Sequence, residues 1–233
     1  MTEPSKGTSP TLLTPQEIRT LFERFRTLDP APTTELEYES PYTLLVAVVL
    51  SAQATDVSVN KATDVLFRLA DTPEKMVALG EEKLDSYIQN INFHRGKARN
   101  VIALSERLIR EHGGEVPRTR EALEALPGVG RKTANVVLNT AFGEAVIAVD
   151  THIFRVSNRT GLAPGRTPDA VAAALNVIVP DEFKRYAHHW LLLHGRYICK
   201  ARRPECWRCP ISDICRYPDK TPAPASGFAK PSP

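Results

Sequence analysis

Lys132 stands where helix electrostatics alone would not put it. It follows Leu126-Pro127-Gly128-Val129-Gly130-Arg131, which reads as a turn between two helices. Proline stops the first helix, and the two glycines open backbone angles closed to other residues. A lysine in the first turn of the second helix faces the positive end of the dipole, at a cost of roughly 0.3–1 kcal/mol. Desolvation there would further favour the uncharged amine, the form that attacks carbon. A solvated lysine or a phosphate clamp is the plainer alternative. Asp150 opens Val149-Asp150-Thr151-His152-Ile153-Phe154-Arg155-Val156 and is expected to cap a helix. Capping fixes a carboxylate's direction without excluding a second role. One helix and a short extended segment separate it from Lys132, enough chain for the two side chains to converge.

The second chemical signal is the run Cys199-x6-Cys206-x2-Cys209-x5-Cys215, with no cysteine before it. A disulfide framework would spread its bridges along the chain, and an intracellular protein keeps its thiols reduced. The clustering points to metal. Structural zinc sites usually join two short pairs by a longer loop. Here one Cys-x2-Cys pair is flanked by single cysteines, which suits a compact cubane cluster somewhat better than zinc and leaves both open. Lys200, Arg202, Arg203, Arg208 and Arg216 lie on or beside the loop, serving either solubility or a phosphate-gripping surface.

The hairpin offers a third kind of chemistry. A helix that starts beside glycines leaves its first N–H groups open to a phosphate, which holds a nucleic-acid backbone without reading sequence. A glycine-rich turn between packed helices is the bland reading.

The elements that must position these groups are nearly all helical. A capping box at Thr14-Pro15-Gln16-Glu17 starts one helix, carrying Ile18, Leu21, Phe22 and Phe25 at helical spacing. Tyr42–Leu50 is apolar all round and predicts a helix buried within a bundle. Helices are expected at Val57–Ala70, Pro73–Leu79, Glu81–Ile91, Gly96–Glu111, Thr119–Leu126, Arg131–Phe142, Thr151–Arg159, Pro168–Val179 and Asp181–His194. Ala145–Val149 is the one strand-like run. His188, His189 and His194 share a helix with Trp190 and read as structural. The proline-rich tail from Pro218 is expected to be disordered. The 233 residues are 42% hydrophobic and 24% charged, near globular averages. No apolar run nears the roughly 18 residues of a membrane span, and the first residues lack a signal core. These point to a cytoplasmic protein. The net charge of +3 implies no partner by itself.

Taken together, Leu126-Pro127-Gly128-Val129-Gly130-Arg131-Lys132-Thr133-Ala134, the Asp150 segment, the cysteine spacing and Leu50-Ser51-Ala52-Gln53-Ala54-Thr55-Asp56 resemble the helix-hairpin-helix superfamily of DNA glycosylases, and within it the endonuclease III family. The resemblance covers roughly residues 15 to 217. It implies an all-α protein of two helical domains flanking a DNA-binding cleft. These are a six-helix barrel with the hairpin at 34–144, and a cluster domain made of 1–33 (1–12 disordered) and 145–217, followed by a disordered tail at 218–233. It implies one [4Fe–4S] cluster per chain on Cys199, Cys206, Cys209 and Cys215, with a structural role. Lys132 would be the nucleophile and Asp150 its partner in a bifunctional DNA glycosylase and abasic-site lyase, acting on oxidised pyrimidines in double-stranded DNA. DNA contacts would come from Gln53, which fills the gap left by a flipped base, from Asp56, and from Phe93 as an intercalating wedge. Further contacts would come from Leu126, Gly128, Val129, Gly130, Lys200, Arg202 and Arg203. The implied partner is duplex DNA with damaged bases or abasic sites, bound by a monomer at the nucleoid. The loop Asn92-Phe93-His94-Arg95-Gly96 departs from the family's Gly-Leu-Tyr-Asn-Ser pattern, which puts lesion preference in question. The rivals are a monofunctional mismatch or adenine glycosylase, against which Lys132 speaks, and a non-catalytic hairpin DNA-binding protein.

Overall fold

A computed structural model describes residues 12–224. Among them every regular element is helical: α1 (Pro15–Leu28), α2 (Pro41–Ser51), α3 (Asp56–Leu69), α4 (Pro73–Leu79), α5 (Glu81–Tyr87), α6 (His94–His112), α7 (Arg120–Glu124), α8 (Arg131–Phe142), α9 (Thr151–Thr160), α10 (Pro168–Ile178), α11 (Asp181–Tyr197), and a 3₁₀ turn at Cys206–Arg208. Ala145–Val149 forms no strand, because a lone extended run has no neighbour to complete a ladder. The helix expected to reach Ile91 ends at Tyr87, and the one expected from Gly96 begins two residues earlier, at His94. The expected disorder at 1–12 falls on residues of which only Leu12 is described. Of the tail, 218–224 are described and carry no regular structure.

Local chemistry sets most helix starts. Thr14 and Ser40 each form reciprocal capping boxes, with proline in the first turn. Thr55, Thr72, Thr119 and Thr167 cap α3, α4, α7 and α10 through their hydroxyls.

The described residues fall into two compact units, Thr33–Ala148 and the residues up to Pro32 together with those from Val149 onward. In the first, α2 is the central post, packed against α3, α6 and α8. Its residues from Tyr42 to Leu50 are buried on every face, and fully enclosed leucines such as Leu44, Leu45 and Leu50 each contribute roughly 1.5–3 kcal/mol. The Tyr42 hydroxyl donates to Ser105 Oγ at 2.7 Å, whose own proton goes to the Val101 carbonyl, also at 2.7 Å. That chain satisfies the polar atoms where α2 meets α6.

In the second unit α11 packs on α9 and α1, and α10 packs on α9. Phe22 stacks on Phe183 at 5.6 Å between centroids, and the Trp190 indole donates to the Asp29 carbonyl at 2.8 Å. A side chain on Gly195 would stand 2.9 Å from His152 Cβ, so the close approach of α11 to α9 requires glycine there. No helix among the described residues is long and apolar enough to cross a membrane.

His188, His189 and His194 are all buried. Burial pushes the His189 imidazole down to about 4 from its ordinary 6.5, a little opposed by the Asp29 carboxylate. Above pH 6.5 this has no effect on stability. As pH falls toward 4 the unfolded chain takes up a proton that the folded one refuses, and the folded state loses on the order of 3 kcal/mol. His189→Leu is therefore expected to flatten the fall in urea midpoint between about pH 7 and about pH 4.5, measured against the parent protein. An unchanged slope would mean the imidazole is solvated.

Candidate active site and cluster loop

Three structures carry the residues singled out by the sequence: the hairpin before α8, a pair of loops at the ends of α2 and α6, and the cysteine loop.

Of the two hairpin glycines only Gly128 has positive φ, at +76°, and a Cβ there would sit 2.9 Å from Asn100 Cβ. Gly130 is extended, at φ −95° and ψ 175°, a conformation any residue adopts. A Cβ on it would meet nothing within 4 Å. Nothing inside the protein requires glycine at position 130. Gly130 is the N-cap of α8 and supplies no capping side chain, and no acid stands in the first turn. Leu126 and Val129 turn their side chains into the core at 2% and 6% exposure. Only their backbones remain for a ligand.

Lys132 lies in the first turn of α8 and is exposed. The desolvation expected to favour its neutral form is therefore not provided by the surrounding side chains. Asp150, in the other unit, is the expected N-cap: its Oδ1 accepts from the His152 and Ile153 amides, each at 2.8 Å. Both cap bonds use one oxygen, which leaves Oδ2 outside the cap.

The Gln53 loop leaves α2 with Gln53 exposed at φ 54°, and Phe93 precedes α6 at φ 58° with 69% of its surface exposed. A non-glycine residue in this left-handed region costs on the order of 1–3 kcal/mol and persists only where its surroundings hold it. The Asn92 amide donates to the Gln53 carbonyl at 2.9 Å, joining the two loops. Lys97, 6% exposed, donates to the Leu50 and Ala52 carbonyls at 2.9 and 2.6 Å. Burial lowers its pKa. Nothing in the sequence marks Lys97 as interior, since lysine is almost never fully buried. Asp56 opens α3, but Thr55 performs the capping and Asp56 is half-buried in the first turn.

The four cysteines border one small cavity, together with His194 and Tyr217. Among the described residues no three Cys, His, Asp or Glu side chains converge as they would on a single metal ion. Four cysteines that gather at one cavity without converging as on a single ion fit a polynuclear cluster better than zinc. Polar groups already face the sulfurs: Arg159 Nη1 and the Tyr217 amide donate toward Cys199 and Cys215 at 3.8 and 3.4 Å, and His194 Nε2 lies 3.7 Å from Cys209. Such contacts stabilise thiolate charge. Burial pushes the Cys209 thiol up to about 11, helped by the neighbouring thiols, so cationic iron must favour its ionisation. The residues fit a [4Fe–4S] cluster, whose iron–thiolate bonds would close a loop that has little apolar core.

Protein groups hold the same loop from several sides. Arg155 donates to the Cys199 and Gly195 carbonyls, Arg24 pairs with Asp213, and Arg216 meets both oxygens of Glu17 at 2.6 and 2.7 Å. The cations do not form one free patch. Glu205 pairs with both Lys200 and Arg208, while Arg216 is spent on Glu17. Arg202 and Arg203 remain exposed. Arg155 and Arg159 escaped the sequence reading, since their partners lie about 40 residues away in the chain, while His194, read as structural, faces Cys209.

Residues 46–181 match the family of HhH-GPD superfamily base excision DNA repair proteins, and residues 199–215 match the iron-sulfur binding domain of endonuclease III. The chain is 58% identical over 200 residues to endonuclease III of Escherichia coli strain K12, covering 86% of this chain and 95% of that one. It is 56% identical to endonuclease III of Treponema pallidum, covering 88% and 97%. It superposes with a TM-score of 0.82, at 45% identity over 88% of this chain and 97% of the other, on a trapped endonuclease III–DNA covalent intermediate. The cluster loop carries a [4Fe–4S] cluster, and the chain belongs to the endonuclease III family of HhH-GPD base excision DNA repair proteins.

Proposed function

We propose that this protein is a base-excision-repair DNA glycosylase that also cuts the strand at the abasic site it makes, with Lys132 as nucleophile and Asp150 as electrostatic partner. The observation that carries the reading is the bare amino end of α8, with glycine at its cap, no first-turn acid, and a lysine one residue inside. Such an end draws a phosphate to the hairpin amides and sets the lysine amine beside the backbone it must cut. The covalent adduct trapped for the solved relative suits an amine nucleophile.

The damaged nucleotide leaves the stack, because its sugar carbon is shielded inside the duplex. Lys132 is exposed in the free protein, so the arriving DNA is what strips water from its amine. The uncharged Nζ forms a bond to C1′ as the N-glycosidic bond breaks, and the base departs with that electron pair. Asp150 stabilises the positive charge building on the sugar, its carboxylate aimed by the two cap bonds through Oδ1. Ring opening gives an iminium on Lys132. Loss of the C2′ proton sends its electrons into a C2′–C3′ double bond and expels the 3′ phosphate. Oxidised pyrimidines are the proposed substrates, and a monomer acting at the nucleoid is the proposed working form. Gln53 and Phe93, both exposed and both in left-handed backbone, are proposed to enter the opened stack. Arg202 and Arg203 are proposed to grip the backbone beyond the site.

Lys132→Gln is expected to bind lesion-bearing duplex as the parent does, while nicking falls about a thousandfold or more and borohydride no longer traps an adduct. Retained nicking would remove Lys132 from this role. Gly130→Ala is expected to melt with the parent yet to bind duplex about tenfold more weakly, because the added methyl stands between phosphate and amides. Gly128→Ala, strained and clashing with Asn100, is expected to lose about 1–3 kcal/mol of stability. Equal affinity for Gly130→Ala and the parent would argue against phosphate docking at the hairpin.

A further inference from the structure

We propose that Asn92 and Lys97 are positioning residues that lock the Gln53 and Phe93 loops into a single pre-set wedge. The proposal rests on the reading that these two side chains enter the opened stack. The segment Asn92–Lys97 holds three carbonyls at the end of α2: Lys97 Nζ binds those of Leu50 and Ala52, and Asn92 Nδ2 binds that of Gln53. Ala52, the C-cap of α2, has no cap bond of its own. A buried ammonium from another helix instead satisfies two carbonyls at the end of α2, where the dipole favours a cation. The same six residues carry Phe93, whose carbonyl accepts the Lys97 amide at 3.0 Å. His94 anchors them to α5 through Asp85, with Nδ1 and Oδ1 2.5 Å apart.

Gln53 and Phe93 both occupy backbone conformations that relax unless held. Tying each to one short segment lets the two protrude as one body, with the ordering cost met before DNA arrives. Glycine at position 92 could not supply the amide.

Asn92 is exposed, so its variants keep the core intact. Lys97→Met strands two carbonyls in the interior and threatens folding, so the Asn92 variants carry the test. The probe is a duplex with 2-aminopurine beside an abasic-site analogue, mixed with full-length, cluster-loaded protein in a stopped-flow fluorimeter. Asn92→Ala is expected to slow unstacking about three- to tenfold, the worth of one hydrogen bond. Asn92→Asp, which sets a carboxylate against the Gln53 carbonyl, is expected to slow it further. The ratio of duplex cleavage to cleavage of an abasic site in single-stranded DNA, which needs no opening, is expected to fall by a similar factor. Parental unstacking rates in both variants, or duplex and single-strand cleavage falling equally, would overturn the proposal. Gln53→Ala and Phe93→Ala separate the two readings. If they slow unstacking while the Asn92 variants do not, the link fails and the wedge stands; if all four match the parent, the wedge itself fails.

Discussion

Two helices in this protein begin against the rule that governs the others. Among the described α-helices, only α6 and α8 start with neither a capping side chain nor an acid in the first turn. The rest have a side-chain cap, or, as in α5 and α11, acids in the opening turn. In α6 and α8 the opening turns carry Arg95, and Arg131 and Lys132. Cations at the positive end of a dipole are unfavourable for a helix by itself. They become favourable when a polyanion arrives, and the hairpin glycines and the Gln53–Phe93 loops lie at these same ends. The unit from Thr33 to Ala148 thus concentrates its local electrostatic frustration where the substrate would relieve it.

The stability that holds these ends in place comes from elsewhere. The all-apolar α2 forms the post against which α3, α6 and α8 pack, and Tyr42, Ser105 and Lys97 make hydrogen bonds where α2 meets α6. Lys97 illustrates the logic. A buried ammonium is costly unless it is hydrogen-bonded, and two carbonyls at a helix end offset part of that cost.

Much of this was legible in the residues. Proline after threonine or serine marks helix starts by simple valence, and Pro73–Leu79 and Arg131–Phe142 have the bounds their sequence predicts. The hairpin and the cysteine array stand out because their chemistry is local. What escaped was decided by partners distant in the chain. Lys97 looks like any surface lysine until the end of α2 is folded beside it. Lys200 looks free until Glu205 turns toward it, and the isolated stretch Ala145–Val149 has strand composition but no neighbour to pair with. Phe93 begins α6 from a left-handed backbone that no residue pattern announces.

The ion pair between Glu17 and Arg216 joins positions 199 residues apart, which has a consequence for biosynthesis. The stretch 33–148 is continuous and can condense as it leaves the ribosome. The first helix cannot: Ile18, Leu21, Phe22 and Phe25 must wait for Phe183, Trp190 and the cysteine loop to be translated. Throughout that interval a greasy amphipathic segment hangs unclaimed from the nascent chain, and it is there that a chaperone would have its longest opportunity.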